Sequence, residues 1–381
     1  MSDASFTDRL RWNLPWLFRY PFERAGSLFG RTAFEEKHLI FTIADHFEPA
    51  WSAGGMLPLD GQKKALDQYY RKARRTGEKL RDADGKMFGH TFFYPAEQYE
   101  PGLLETIAAM QREGLGEVEI HLHHGVDKPD TPENLKRQLL DFRDRLAADH
   151  KCLSRMDGKG EPRYAFVHGN LALANSAGGM YCGVDEEMQI LADTGCYADM
   201  TLPSAPDRTQ VSIINQIYEC GGPLDQAVPH RTGRRLEADG REPVLPMIFA
   251  GPLVFNWSRR IGGIPVPRLD DGALVYNQPM DISRLKRWMG ANITVRGRSN
   301  WIFVKLYCHS FFSHDQEAAI GEDALRFFGE IKDYGEKTGG FKLHFASARE
   351  AANMVFAAID GKKGTPGEYR DYRLQTIMDN G

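Results

Sequence analysis

Residues 117–131, EVEIHLHHGVDKPDT, join an apolar-alternating strand to a helix through a loop of histidines and aspartates. On the strand, Glu119, His121 and His123 share one face and His124 must point the other way, because side chains alternate with period two. At most two of the three histidines therefore converge through the strand itself. On the helix side, Thr131 supplies an N-cap and Pro132 the first helical position of the run ENLKRQLLDFRDRLAADH. Strand followed directly by helix is the repeating unit of a parallel sheet. Imidazole and carboxylate at this density also make a candidate divalent-metal site, since zinc takes nitrogen and oxygen ligands together. Asp127, four positions past His123, would return its carboxylate towards that imidazole as the loop turns off the strand.

The same alternation extends in both directions. Strands are expected at HLIFTIADHF (38–47), MFGHTFFYP (87–95), RYAFVHGN (163–170), CYADMTLP (196–203), NWIFVKLYCHSF (300–311) and FKLHFAS (341–347). Helical spacing lies between most of them, for example in PGLLETIAAMQREG and AREAANMVFAAID. About seven strands, each followed by a helix, argue for an α/β protein with a parallel sheet, either a closed barrel or a doubly wound sheet. Residues 203–280 lose periodicity and hold ten of the twenty prolines, so they read as a long irregular insertion with a short strand at PVLPMIFA. Charged and imidazole residues gather at the carboxyl ends of the strands: Asp45, His46 and Glu48; His90; His123 and Asp127; His168 and Asn170; Asp199; His309. Parallel α/β folds bind and react at that end, where the loops converge.

The composition is that of a globular protein, 42% hydrophobic and 26% charged over 381 residues. A net charge of -4 gives no electrostatic footprint for nucleic acid. Cys152, Cys182, Cys196, Cys220 and Cys308 are odd in number and widely spaced, which fits reduced thiols better than a disulfide framework. With no apolar leader and no long apolar run, the expectation is a soluble, cytoplasmic protein. In residues 9–24 arginines interleave with Trp12, Trp16, Phe18, Tyr20 and Phe22, a mixture that suits a membrane interface or a lipid-linked partner. Pro15 and Pro21 are expected to break any long helix there, and packing of this arm on the body of the protein is the alternative.

Over roughly residues 38–355 these motifs resemble the NodB-type polysaccharide deacetylases of the glycoside hydrolase/deacetylase barrel superfamily. Thr42-Ile43-Ala44-Asp45-His46 stands where that family has T-F-D-D-G, and Thr91-Phe92-Phe93 matches its T-F-F. Glu119-Ile120-His121-Leu122-His123-His124-Gly125-Val126-Asp127 is similar to E-I-G-x-H-[ST]-x-x-H. Phe166-Val167-His168-Gly169-Asn170 occupies the place of R-x-P-Y-G without its arginine, and Leu306-Tyr307-Cys308-His309 resembles a late strand closing on a histidine. The resemblance implies a distorted (β/α) barrel of about seven parallel strands spanning residues 38–360 around the insertion 203–280. An N-terminal arm, 1–37, and a C-terminal tail, 361–381, flank it.

It also implies metal-dependent removal of an N- or O-linked acetyl group from a saccharide or a lipid- or nucleotide-linked sugar. The divalent metal, zinc by expectation, falls on Asp45, His123 and Asp127, with His121 as the spare ligand. His309 takes the part of the general acid, and His46, Glu48 and His168 are candidates for base or proton relay. His90, Asn170 and Asp199 would meet the carbohydrate substrate. The family's catalytic-base aspartate falls on Ala44, which leaves two possibilities: another group is the base, or the register slips so that Asp45 is the base and Glu48 reaches the metal. Two other functions fit the same barrel. A glycoside hydrolase would need two carboxylates about 5 Å apart if retaining, or roughly 6.5–9.5 Å if inverting; an inactive glycan-binding protein would need neither.

Overall fold

A computed structural model describes residues 5–29, 36–52 and 54–378. Its frame is a mixed, mostly parallel sheet of twelve strands. Ten of them are β1 (His38–His46), β2 (His90–Pro95), β3 (Gly116–Leu122), β4 (Lys159–His168), β5 (Cys196–Asp199), β6 (Gln216–Cys220), β7 (Gly233–Arg235), β8 (Met247–Ala250), β9 (Trp301–Cys308) and β10 (Lys342–Phe345). The order across the sheet is β7-β6-β8-β5-β4-β3-β2-β1-β9. β1 is its pivot. One edge of β1 pairs in parallel with β9 from His38 to Asp45, and the other pairs first with β10 at residues 38–41 and then with β2 at residues 44–46. All nine of its residues are buried, as a parallel strand covered on both faces requires.

The strands expected from the sequence are all present, and β1, β2, β3, β4, β5, β8, β9 and β10 each pair in parallel with a neighbour. Among the described residues no ladder joins β9 to β8, so hydrogen bonding does not close the sheet into a barrel. The outer edge of β9 is met by loop backbone instead: Leu274 N donates to Tyr307 O at 2.8 Å and Phe303 N to Ile293 O at 2.9 Å. The insertion is more ordered than its sequence suggested, because β6 runs antiparallel beside β8, β7 runs antiparallel beside β6, and together they widen the sheet. Nor is the region after residue 360 a loose tail. Leu374–Thr376 pairs with Ser154–Met156, which pairs in turn with β4.

The helices α1 (Phe6–Phe29), α2 (Leu59–Lys79), α3 (Pro101–Arg112), α4 (Pro132–Ala148), α5 (Glu187–Thr194), α6 (Ile282–Ala291), α7 (Gln316–Ala319), α8 (Glu322–Thr338) and α9 (Ala348–Ile359) complete the fold. Thr131 caps α4 as expected, its side chain accepting from Asn134 N. All twelve residues of α9 are buried, and it touches β1, β4 and β5 although β2 and β3 separate these strands in the sheet. The sheet must curl around it.

The expectation that prolines would break the arm is corrected: α1 runs continuously through Pro15 and Pro21. Its inner face compensates for the two missing backbone donors. Trp16 is buried with Ile214 and Leu253, stacks on Phe255 at 5.8 Å between ring centroids, and donates through Nε1 to Asn13. Asn13 in turn donates to Pro206 O at 3.0 Å. No described helix is long and apolar enough to cross a membrane.

Candidate metal centre

Strand alternation places His46 and Glu48 on one side of the end of β1 and Asp45 on the other. His121, in β3, and His123, just past its end, fall on the same side as Glu48. Glu48 Oε1 lies 3.5 Å from His121 Nε2 and 3.4 Å from His123 Nε2, and the three ligand atoms lie within 4.8 Å of one another. Two further imidazoles flank them. The His46 ring is 4.8 Å from that of His121 and 4.4 Å from that of His309.

The donor set fits a divalent cation. His121 Nδ1 is 2.7 Å from the Val167 carbonyl and must donate to it, so Nε2 carries the lone pair. That Nε2 is buried without a hydrogen-bond partner. His123 Nδ1 is held by Glu97 Oε1 at 2.6 Å, the carboxylate–histidine arrangement that orients metal-bound imidazoles. Two nitrogens and a carboxylate oxygen match the three-protein-ligand pattern of hydrolytic zinc sites.

Electrostatics keep the flanking groups in useful states. Burial, reinforced by the neighbouring His309, His121 and His123, pulls His46 well below the ordinary histidine value, so it is neutral. Burial likewise lowers His309. For Glu48, burial pushes the carboxyl up, but the neighbouring imidazoles of His121 and then His123 outweigh it and hold it below the usual carboxylate range. Burial would lower His123, yet Glu97 holds it above its usual range.

Several expected site residues stand elsewhere. Asp45 faces α2, where Oδ2 meets His90 Nδ1 at 2.9 Å, Oδ1 accepts from Ser310 N at 3.2 Å, and Tyr69 and Cys308 complete the surroundings. It does not join His123, because neighbours on a strand face opposite ways. His90 belongs to that same group and bonds Ala319 O through Nε2. Asp127 is exposed on the loop after β3 and converges with no histidine. His168 turns away from His46 and Glu48 to meet His124 and Glu187. Asn170 sits exposed at φ 54° in the loop after β4. Asp199 is buried and accepts from the Thr201 hydroxyl and amide, and burial pushes its carboxyl up to about 7.

Glu97 and Lys305 were not singled out from the sequence. Glu97 follows β2 in a single helical turn, and a carboxylate just past a strand end was the available signal. Lys305 was visible as a charge inside the apolar run WIFVKLYC; it is buried and donates to Met200 O and Leu202 O. No protein-family model and no curated protein matches the chain, so the chemistry of the site rests on its own residues.

Proposed function

We propose that this chain is a metal-dependent hydrolase that removes an N- or O-linked acetyl group from a saccharide or a lipid- or nucleotide-linked sugar, on a distorted barrel of the NodB type with an open seam. The observation that carries this reading is the buried, unpartnered Nε2 of His121 directed at Glu48 beside His123. Glu48, His121 and His123 would hold the cation, zinc by the nature of its ligands, in place of the Asp45 and Asp127 expected from the resemblance. Bound there, a divalent ion lowers the pKa of water towards neutrality and polarises an acyl carbonyl.

The remaining work falls to the chain. Val167 O and Glu97 fix the ring orientations of His121 and His123. His46, neutral and with its ring 4.8 Å from that of His121, would take the proton of the attacking water where Ala44 offers no base. His309, also neutral at rest, receives that proton through its contact with His46 and gives one to the departing amine or alcohol. The saccharide part of the reading is supported by a run of rings leading outward from His309. Phe312 lies 5.7 Å from it, His314 stacks on Phe312 at 5.9 Å, and exposed Tyr276 meets His314 at 5.3 Å. Aromatic faces of this kind pack on the apolar faces of sugars. A glycoside hydrolase gains no such support, since Asp45 is engaged by His90, Glu48 by two imidazoles and Asp199 by Thr201.

Acetate release from acetylated oligosaccharides is the direct test. Activity should vanish with a chelator and return with zinc; a protein that takes up no divalent metal when it is supplied in excess would remove the basis of the reading.

The outer face of α1 bears on a lipid-linked substrate. Leu10, Leu14, Phe18 and Phe22 form a stripe at four-residue spacing, with Phe18 and Phe22 71% and 77% exposed. Through Phe255 the helix adjoins Trp257, whose loop also exposes Ile261 and Ile264. Exposed Arg9, Arg11, Arg19, Arg259 and Arg260 surround these apolar groups, the complement of an anionic bilayer surface. The chain should sediment with phosphatidylglycerol-containing vesicles, less so in high salt, and a Phe18→Ser, Phe22→Ser variant should bind roughly tenfold more weakly or worse. Equal binding by that variant would dismiss the surface.

A further inference from the structure

We propose a second metal site, separate from the centre at Glu48, in which His124, His168, Cys182 and Glu187 hold a structural zinc ion. The four residues come from three segments: the loop after β3, the end of β4, and the loop and helix leading through α5. Each is buried, and their ligand atoms lie within 4.8 Å of one another. His124 Nε2 and His168 Nε2 are 3.0 Å apart, Glu187 Oε1 is 3.1 and 3.4 Å from them, and Cys182 Sγ is 3.5 Å from Glu187 Oε2. A tetrahedral zinc with bonds of about 2.0–2.3 Å separates its ligands by roughly 3.3–3.8 Å, so small adjustments suffice.

The far sides of both rings are already committed. His124 Nδ1 is held by Asp130 Oδ2 at 3.1 Å and His168 Nδ1 by the Gly169 carbonyl. Each Nδ1 therefore donates, and two lone-pair nitrogens point at each other across a dry gap. Something positive must lie between them. Either a proton on one imidazole or a metal ion satisfies that demand, and the presence of Cys182 beside the gap favours the ion, because a soft thiolate adds nothing to a shared proton and is a preferred zinc ligand. Cys182 would bind as thiolate, its proton passing to solvent on metal uptake. Four protein ligands with no exposed position describe a closed, structural site rather than a second catalytic one.

The backbone nearby supplies an independent reason for a staple. Asn170, Leu171, Ala174, Asn175 and Tyr181 all take positive φ, between 49° and 61°, and such conformations persist only when the surroundings hold them. Glu187 Oε2 accepts from Ala174 N at 2.6 Å, tying the strained loop to a proposed ligand. A Cβ on Gly125 would lie 2.2 Å from Cys182 O, so the loops after β3 and β4 touch at backbone level. His123 of the first centre is the chain neighbour of His124, and Gly169 packs against its ring. The second site would thus fix the loop from which the first is built.

Cobalt loading of the full chain after chelation tests this. A thiolate-to-cobalt charge-transfer band should appear in the near ultraviolet. Cys182→Ser should abolish the band and lower bound metal by one equivalent, whereas Cys308→Ser and His121→Ala keep it. Should Cys182→Ser fail to fold, the zinc-edge absorption spectrum of the unaltered protein decides, with a sulfur shell at about 2.3 Å expected. No thiolate band at saturating cobalt, a band that survives Cys182→Ser, or a zinc shell without sulfur overturns the proposal and leaves a buried network sharing a proton. The centre at Glu48 contains no cysteine, so its failure would cost a metal equivalent without touching the band.

Discussion

Replacing Glu48 by glutamine is expected to lower turnover about 10³-fold or more and to cost the chain one equivalent of bound metal. The amide keeps the size of the side chain but removes the negative charge that sits 3.5 and 3.4 Å from the two imidazole nitrogens. His121 and His123 alone would leave a cation with two neutral ligands. Glu97→Gln gives a graded contrast, since it alters no proposed ligand but the carboxylate that holds His123 at Nδ1 and at its backbone amide. Metal affinity should fall by about 10- to 100-fold, with activity recovered at high metal concentration. Metal content by mass spectrometry alongside acetate release separates the two variants. Unchanged metal and unchanged turnover in Glu48→Gln would show that the cation, if any, lies elsewhere.

Arg349→Ala should destabilise the protein by about 3–5 kcal/mol, read as a lower denaturation midpoint. This guanidinium at the start of α9 is buried and fully used. Nε and Nη2 bind Glu117 at 2.9 and 2.6 Å, and Nη1 reaches Asp371 at 2.5 Å and Leu374 O at 2.7 Å. Removing it leaves the Glu117 carboxylate with only the Ser347 hydroxyl and takes away one tie between α9 and Leu374, leaving Asn353 to hold that residue to the helix. Lysine should rescue little, because an ammonium cannot repeat the two-pronged contact. A loss below about 1 kcal/mol would mean that the pairing only balances its desolvation cost.

Much of the fold was legible because its strands are short apolar runs bounded by turn residues and followed by helical spacing. β6 and β7 were not legible: QIYEC and GRR carry no apolar run of their own and become strands by pairing beside β8. The run through Pro15 and Pro21 in α1 is another tertiary effect, supplied by Trp16 against Phe255. At the site, alternation alone grouped His121 with His123 and set His124 apart. In the structure the same alternation sets Asp45 apart from His46, whereas the sequence reading grouped Asp45, His46 and Glu48, and the family register favoured Asp45 and Asp127. Cys182 and Glu187 carried no local signal. Their meeting with His124 and His168 depends on two loops touching, which no spacing along the chain encodes.

The position of β1 has a kinetic consequence. Its register sets His38 opposite both Trp301 and Lys342, so over residues 38–41 this strand is paired on both edges by segments from the far end of the chain. Such pairings close very long loops before they return any contact energy, which slows folding. Until β9 and β10 arrive, both edges of β1 at residues 38–41 are open to other chains, and a nascent or refolding molecule is vulnerable to aggregation there. Refolding yield should therefore fall with protein concentration more steeply than the stability of the finished fold would suggest.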